Sequence, residues 1–169
     1  MDDDVRIAAY KEAIELTVED AESDEVASAL VLGEGTGILA LLAARAGLRQ
    51  VVAIEQNKFL YRMAKQVIKS NAANVPKGVI QLLAQKLNAC SLAAEDAIAK
   101  ADGKSPETLA NPCDLVITDL FDHALLGKGI LRAIDRIGKQ KLASPNARII
   151  PSHVCIKAQL IEFRLEAVS

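Results

Sequence analysis

Leu30 to Glu55 reads LVLGEGTGILALLAARAGLRQVVAIE: an apolar run, glycines on alternate positions, a short helical segment, a second apolar run, and an acid at its end. Few architectures accept that order. An apolar run bounded by polar residues and glycines, such as Ala27–Leu32, fits a strand covered on both faces, as in parallel sheets. A glycine-rich turn leading from it into a helix brings bare backbone to the carboxyl edge of the sheet. Open α/β sheets bind their ligands at that edge.

The rest of the chain extends the unit. Val5 to about Glu19 carries Ile7, Tyr10, Ala13, Ile14, Thr17 and Val18 at helical spacing, behind aspartates that suit the positive end of a helix dipole. Ile38–Ala46 is helical in composition and ends at Gly47, and Val51–Ile54 is the second strand. Asn57 caps a helix to about Ser70 whose inner face is Leu60, Met63, Ala64, Val67 and Ile68. Val79–Leu83 and Asp114–Thr118 are further buried strands. Between them, Ala89–Ala101 is alanine-rich and expected to be helical, and the segment to Pro112 is expected to be loop. Ile130 to about Lys141 is a helix exposing Arg132, Asp135, Arg136 and Lys139. Arg148–Ile150 is short and extended. Val154–Phe163 alternates, the pattern of a half-exposed strand. Strands alternating with helices give an α/β fold with a mostly parallel, right-handed sheet and helices on both faces.

Composition narrows the ligand class. The chain has 169 residues, a formal charge of −2, 51% hydrophobic residues and no basic run, so bulk charge supplies no affinity for nucleic acid or membrane. The acidic start is unlike a signal or transit peptide, and no apolar run has the length of a membrane span. Cys90, Cys113 and Cys155 lack CxxC spacing and read as reduced thiols of a cytoplasmic or nuclear protein. His123 and His153 have no partners at metal-ligand spacing, so no metal site is expected. His123 fits a solvent-facing loop histidine better than a general base.

Gly33-Glu34-Gly35-Thr36-Gly37 is G-x-G-x-G. The dinucleotide fingerprint G-x-G-x-x-G needs its third glycine where Ile38 stands. Glu55, ending the second strand, is placed to accept hydrogen bonds from both hydroxyls of a ribose, a role that does not select one nucleotide cofactor. A turn serving only chain reversal, with Glu55 as a surface acid, is the plain alternative. Asp119 also follows a strand end, so Gly33–Gly37, Glu55 and Asp119 converge on one edge.

These motifs resemble the first two motifs of class I S-adenosylmethionine-dependent methyltransferases, with their Rossmann-like sheet. More narrowly, the chain resembles the protein arginine methyltransferases, closest to the type-7 branch. Asp4–Tyr10 (DVRIAAY) is similar to the helix that opens that fold. Leu115–Asp122 (LVITDLFD) with Leu125–Gly129 (LLGKG) is similar to the substrate loop. Ile150–Val154 through Ala158–Glu162 is similar to the crossover into the family's β-barrel. The resemblance implies a cofactor-binding domain over residues 1–150 and the first strand of a barrel over 151–169, the remainder supplied by further chain or by a dimer or partner. It implies S-adenosylmethionine as cofactor and arginine side chains of proteins as acceptors. Arg6 would meet the methionine carboxylate, Gly33 and Gly35 would admit the cofactor, Glu55 would hold its ribose, and Asp119 would orient the acceptor guanidinium.

The substrate loop departs from that pattern. The family clamps the guanidinium with two glutamates; here the first is the shorter Asp119 and the second is Lys128. Like charges about 4 Å apart at an effective dielectric of about 20 repel by about 4 kcal/mol, so Lys128 opposes a guanidinium or else pairs with Asp119. Val31 stands where an aspartate commonly ends the first strand, and Ala89 falls near the usual adenine-contacting acid. The rival expectations are therefore a catalytically silent cofactor- or partner-binding module and, more weakly, an NAD-dependent oxidoreductase.

Overall fold

The computed structural model describes residues 3–21, 26–33, 35–87, 90–92, 108–109, 111–122, 125–157 and 159. Glu34, Ala89, His123 and Glu162, most of the segment 89–101 and half of the segment 154–163 lie outside the described residues.

The chain opens with α1 (Asp3–Glu19) and then alternates β1 (Ser28–Leu32), α2 (Ile38–Arg45), β2 (Gln50–Ile54), α3 (Lys58–Ser70) and β3 (Ile80–Leu83). Two-residue strands β4 (Ser91–Leu92) and β5 (Thr108–Leu109) pair with each other, and β6 (Cys113–Thr118), α4 (Ile130–Lys139) and β7 (Ala143–Ile150) complete the order. The main sheet has five strands in the order β3-β2-β1-β6-β7, all parallel. Its order reverses at β1, so the carboxyl ends of β1 and β6 flank the switch point.

Both faces are covered, as the unbroken apolar runs demand. Ala29, Val31, Val51, Ala53, Leu115 and Ile117 pack with Tyr10 and Ile14 of α1 and with Leu39, Ala40, Ala43 and Ala44 of α2. The alternate residues Leu30, Leu32, Val52, Ile54 and Val116 pack with Ala133 and Ile137 of α4. Asn57 caps α3 through Oδ1, which accepts from the N–H groups of Phe59 and Leu60 at 2.9 and 3.2 Å.

Four segments differ from the pattern read in the sequence. The extended segment before Pro151 is a full strand, Ala143–Ile150, whose register with β6 shifts between Cys113 and Leu115; Pro145 and its polar neighbours hid an edge strand, where proline is tolerated. Ser91–Leu92 is strand rather than helix, and Thr108–Leu109 is strand rather than loop. Val154–Lys157 carries no strand pairing. A strand half-exposed by its alternation needs a partner to pair with, and none of the described residues provides one.

The amino ends of β1 and β6 are fastened by one side chain. Asp114 Oδ2 accepts from the N–H groups of Ala27 and Ser28, both at 3.1 Å, and from Ser28 Oγ at 2.8 Å. Asp114→Ala is expected to destabilise the fold by about 2–3 kcal/mol, since it strands several donors of one charged acceptor. Urea unfolding should show an earlier midpoint with an unchanged slope. Beside it, burial and then the Asp114 charge push the Cys113 thiol up to about 12, so it stays protonated and unreactive at neutral pH.

Candidate functional site

The glycine turn leaves β1 in a conformation only glycine adopts freely. Gly33, Gly35 and Gly37 have φ of +67°, +60° and +89°, and side chains strain the backbone there. Space is as restrictive as torsion. A Cβ on Gly33 would lie 2.6 Å from Leu120 Cδ2, and one on Gly37 would lie 3.1 Å from the Ala64 carbonyl oxygen of α3. Gly33 therefore lets the β6 end close on the turn, and Gly37 lets α3 approach α2.

Glu55 sits at the end of β2 and is 5% exposed. Its Oε2 accepts the Gly35 N–H at 2.9 Å and its Oε1 accepts the Asn57 N–H at 2.7 Å. The carboxylate thus fastens the glycine turn to the start of α3. Each oxygen keeps a further lone pair, so two hydroxyls of a bound ribose can still be accepted.

Asp119 follows β6. Arg6, on α1, pairs its guanidinium with the Asp119 carboxylate. Tyr10, one turn further along α1, donates from its hydroxyl to the Thr118 carbonyl at 2.7 Å. Burial and the adjacent Asp119 charge push the Tyr10 phenol up to about 12. It therefore remains a donor through the physiological range and ties α1 to the strand that carries Asp119.

Two cavities meet at this pair. One, of about 520 Å³, is lined by Gly33, Gly35, Glu55, Leu87, Asp119 and Lys128 among others. The second, of about 1030 Å³, is largely apolar and is lined by Arg6, Tyr10, Asp119, Phe121, Ile149 and His153 among others. Of the residues the sequence singles out, Gly33, Gly35, Glu55 and Asp119 share the first cavity, while Arg6 lines the second and reaches Asp119. Lys128 lines the first and makes no ion pair among the described residues, so the partner of Asp119 is Arg6 rather than Lys128. Among the described residues no group of three or more His, Cys, Asp and Glu is placed to hold a metal, and no helix is long and apolar enough to cross a membrane.

The second cavity, the Arg6–Asp119 pair and the Tyr10–Thr118 bond were not evident from the sequence. Arg6 and Asp119 are 113 positions apart, and only the folded sheet juxtaposes them. The single available signal was that the opening helix carries Arg6 and Tyr10 on successive turns.

A parallel sheet ordered β3-β2-β1-β6-β7, with a glycine turn after β1 and an acid after β2, defines a Rossmann-like α/β fold. The Trypanosoma brucei PRMT1 enzyme–prozyme heterotetrameric complex with AdoHcy superposes with a TM-score of 0.64 at 21% identity, over 85% of this chain and 38% of that one. Arabidopsis thaliana protein arginine methyltransferase 10 does so with a TM-score of 0.60 at 23% identity, over 83% and 33%. No protein-family model matches the chain. Among sequence relatives, protein arginine N-methyltransferase 7 of Aedes aegypti is 32% identical over 90% of this chain, and protein arginine N-methyltransferase 9 of Xenopus laevis is 28% identical over 96%. The chain fits a member of the protein arginine methyltransferase family. It spans about a fifth of the length of those two relatives, 20% and 18%.

Proposed function

We propose that this chain binds S-adenosylmethionine in the cavity of Gly33, Gly35 and Glu55 and supports methyl transfer to the guanidine nitrogen of a protein arginine presented at Asp119. The observation that carries the reading is the position of Asp119 on both cavities. A cofactor in one and an acceptor entering through the other would meet at its carboxylate.

The residues fit that cofactor. The turn around Gly33 and Gly35 offers backbone rather than side chains to it, and Glu55 keeps acceptor capacity for a ribose after bonding the turn. Arg6 has five N–H donors, so it can hold Asp119 and still meet the carboxylate of a methionine moiety. The bound cofactor supplies an electrophilic methyl on a sulfonium sulfur. The chain's own task is positioning and charge: Asp119 neutralises the guanidinium and aims one nitrogen, and Tyr10 fixes the strand end that carries Asp119 through the Thr118 carbonyl. The cofactor would leave as its neutral thioether, and the acceptor nitrogen would lose its proton late, to solvent water, so the chain need supply no strong base.

Lys128 favours a second reading, a cofactor-binding module that no longer turns over. It lines the cavity where the family's second clamp acid would lie, and Asp119 is already occupied by an internal guanidinium. Transfer of labelled methyl from S-adenosylmethionine to an arginine-containing peptide separates the two. Wild-type turnover rising about tenfold or more in Lys128→Glu, as removal of a repulsion of a few kcal/mol requires, supports the enzyme. Turnover confined to Lys128→Glu supports the silent module, and none in either sinks the methyl-transfer reading.

A further inference from the structure

The glycine-turn cavity carries an excess of positive charge that its acids do not answer. Lys86, Lys128, Arg132 and Arg136 all line it, and all are exposed. Of the acids on the same wall, Glu55 is bound to the Gly35 and Asn57 N–H groups and Asp119 is paired with Arg6. None of these cations forms an ion pair among the described residues. The same helix does pair its last cation: Lys139 Nζ lies 2.8 Å from Asp135. In a chain whose formal charge is −2, the excess is local to this rim.

The spacing says what such a rim fits. Arg132 and Arg136 are four positions apart on α4, so they share a face about 6 Å apart along the axis. Lys128 precedes Arg132 by the same interval, across the Gly129 cap. Two residues of extended chain advance about 6.6–6.8 Å, which brings carboxylates on alternate residues of a peptide into register with such a stripe. A compact oxyanion needs its cations to converge on one point; Arg132 and Arg136 are strung along the helix, and Lys128 lies just before its start.

We propose that Lys128, Arg132 and Arg136 dock an extended acidic peptide segment, with carboxylates on alternate residues, across the mouth of the cavity. Binding is electrostatic, so it weakens as salt rises, and it gives partner selection more than raw affinity.

The test is fluorescence anisotropy with a labelled peptide of alternating Glu and Ala, in the absence of cofactor. It measures binding alone, so its failure leaves the methyl-transfer reading standing, and the reverse. Saturable binding is expected for the wild type, weakened at least about tenfold by the double variant Arg132→Glu/Arg136→Glu and by less than about twofold by Lys65→Glu/Lys69→Glu, which makes the same charge change on α3. A peptide of alternating Lys and Ala should not bind. The proposal is overturned by absence of saturable binding or by equal losses in the two double variants, which would mean bulk charge. It is also overturned if pyrophosphate binds more tightly than the peptide, which would make the rim a phosphate site.

Discussion

Gly33→Val is expected to abolish measurable cofactor binding and to destabilise the fold by about 3 kcal/mol, because two costs coincide at one position. The backbone there has φ +67°, and an added Cβ would lie 2.6 Å from Leu120 Cδ2. A β-branched residue is the worst choice for that torsion. The Leu120 side chain, next to Asp119, must shift to admit the Cβ, so the substitution reaches both the proposed cofactor floor and the proposed acceptor clamp. Gly78 is the control: its φ is +82°, and a Cβ added there would meet nothing within 4 Å. Gly78→Val should therefore show the torsional cost alone, about 1–2 kcal/mol, with cofactor affinity intact. Urea unfolding and calorimetry read the two effects separately. Equal losses in both variants would mean that the closeness of Leu120 to the turn has no consequence.

Asp119→Asn is expected to lower methyl transfer by about 10² to 10³-fold while changing cofactor affinity by no more than a few-fold. The substitution keeps the shape and removes the charge that, in the proposed function, neutralises and aims the guanidinium, an effect of the size seen when one preorganised electrostatic contact is lost. Arg6 loses its ion pair with Asp119 in the same variant, but the Tyr10–Thr118 bond is to backbone and survives. The position of α1 should thus persist. The variant is assayed in whichever background turns over, wild type or Lys128→Glu. Retention of full turnover would remove Asp119 from the acceptor site.

The core was legible in the sequence because its strands are buried on both faces. Leu30–Leu32, Val51–Ile54 and Leu115–Ile117 have no polar residue to interrupt them, and each lies in the sheet where its run predicts. β7 was only partly legible: an edge strand holding Ser144, Pro145 and Asn146 lacks that signal. The turn and Glu55 were legible as a pair because each sits directly after a strand. The bond that joins them was not, since nothing in G-x-G-x-G says that the middle glycine's N–H points at an acid 20 residues on. Least legible was the second cavity. It is assembled from α1, the loop after β6 and the end of β7, elements whose proximity follows from strand order rather than from any local pattern. That juxtaposition explains why Arg6, expected to serve a ligand carboxylate, is found on Asp119.

Whether the glycine turn and Glu55 form a floor for S-adenosylmethionine is decided by isothermal titration of the chain with that cofactor, for wild type and Glu55→Ala side by side and with NAD as comparison. Saturable heat is expected for S-adenosylmethionine and none for NAD. Glu55→Ala should weaken the former about 100-fold, the scale of two hydrogen bonds to a charged acceptor. Preferential binding of NAD, or an S-adenosylmethionine affinity indifferent to Glu55, would refute the assignment.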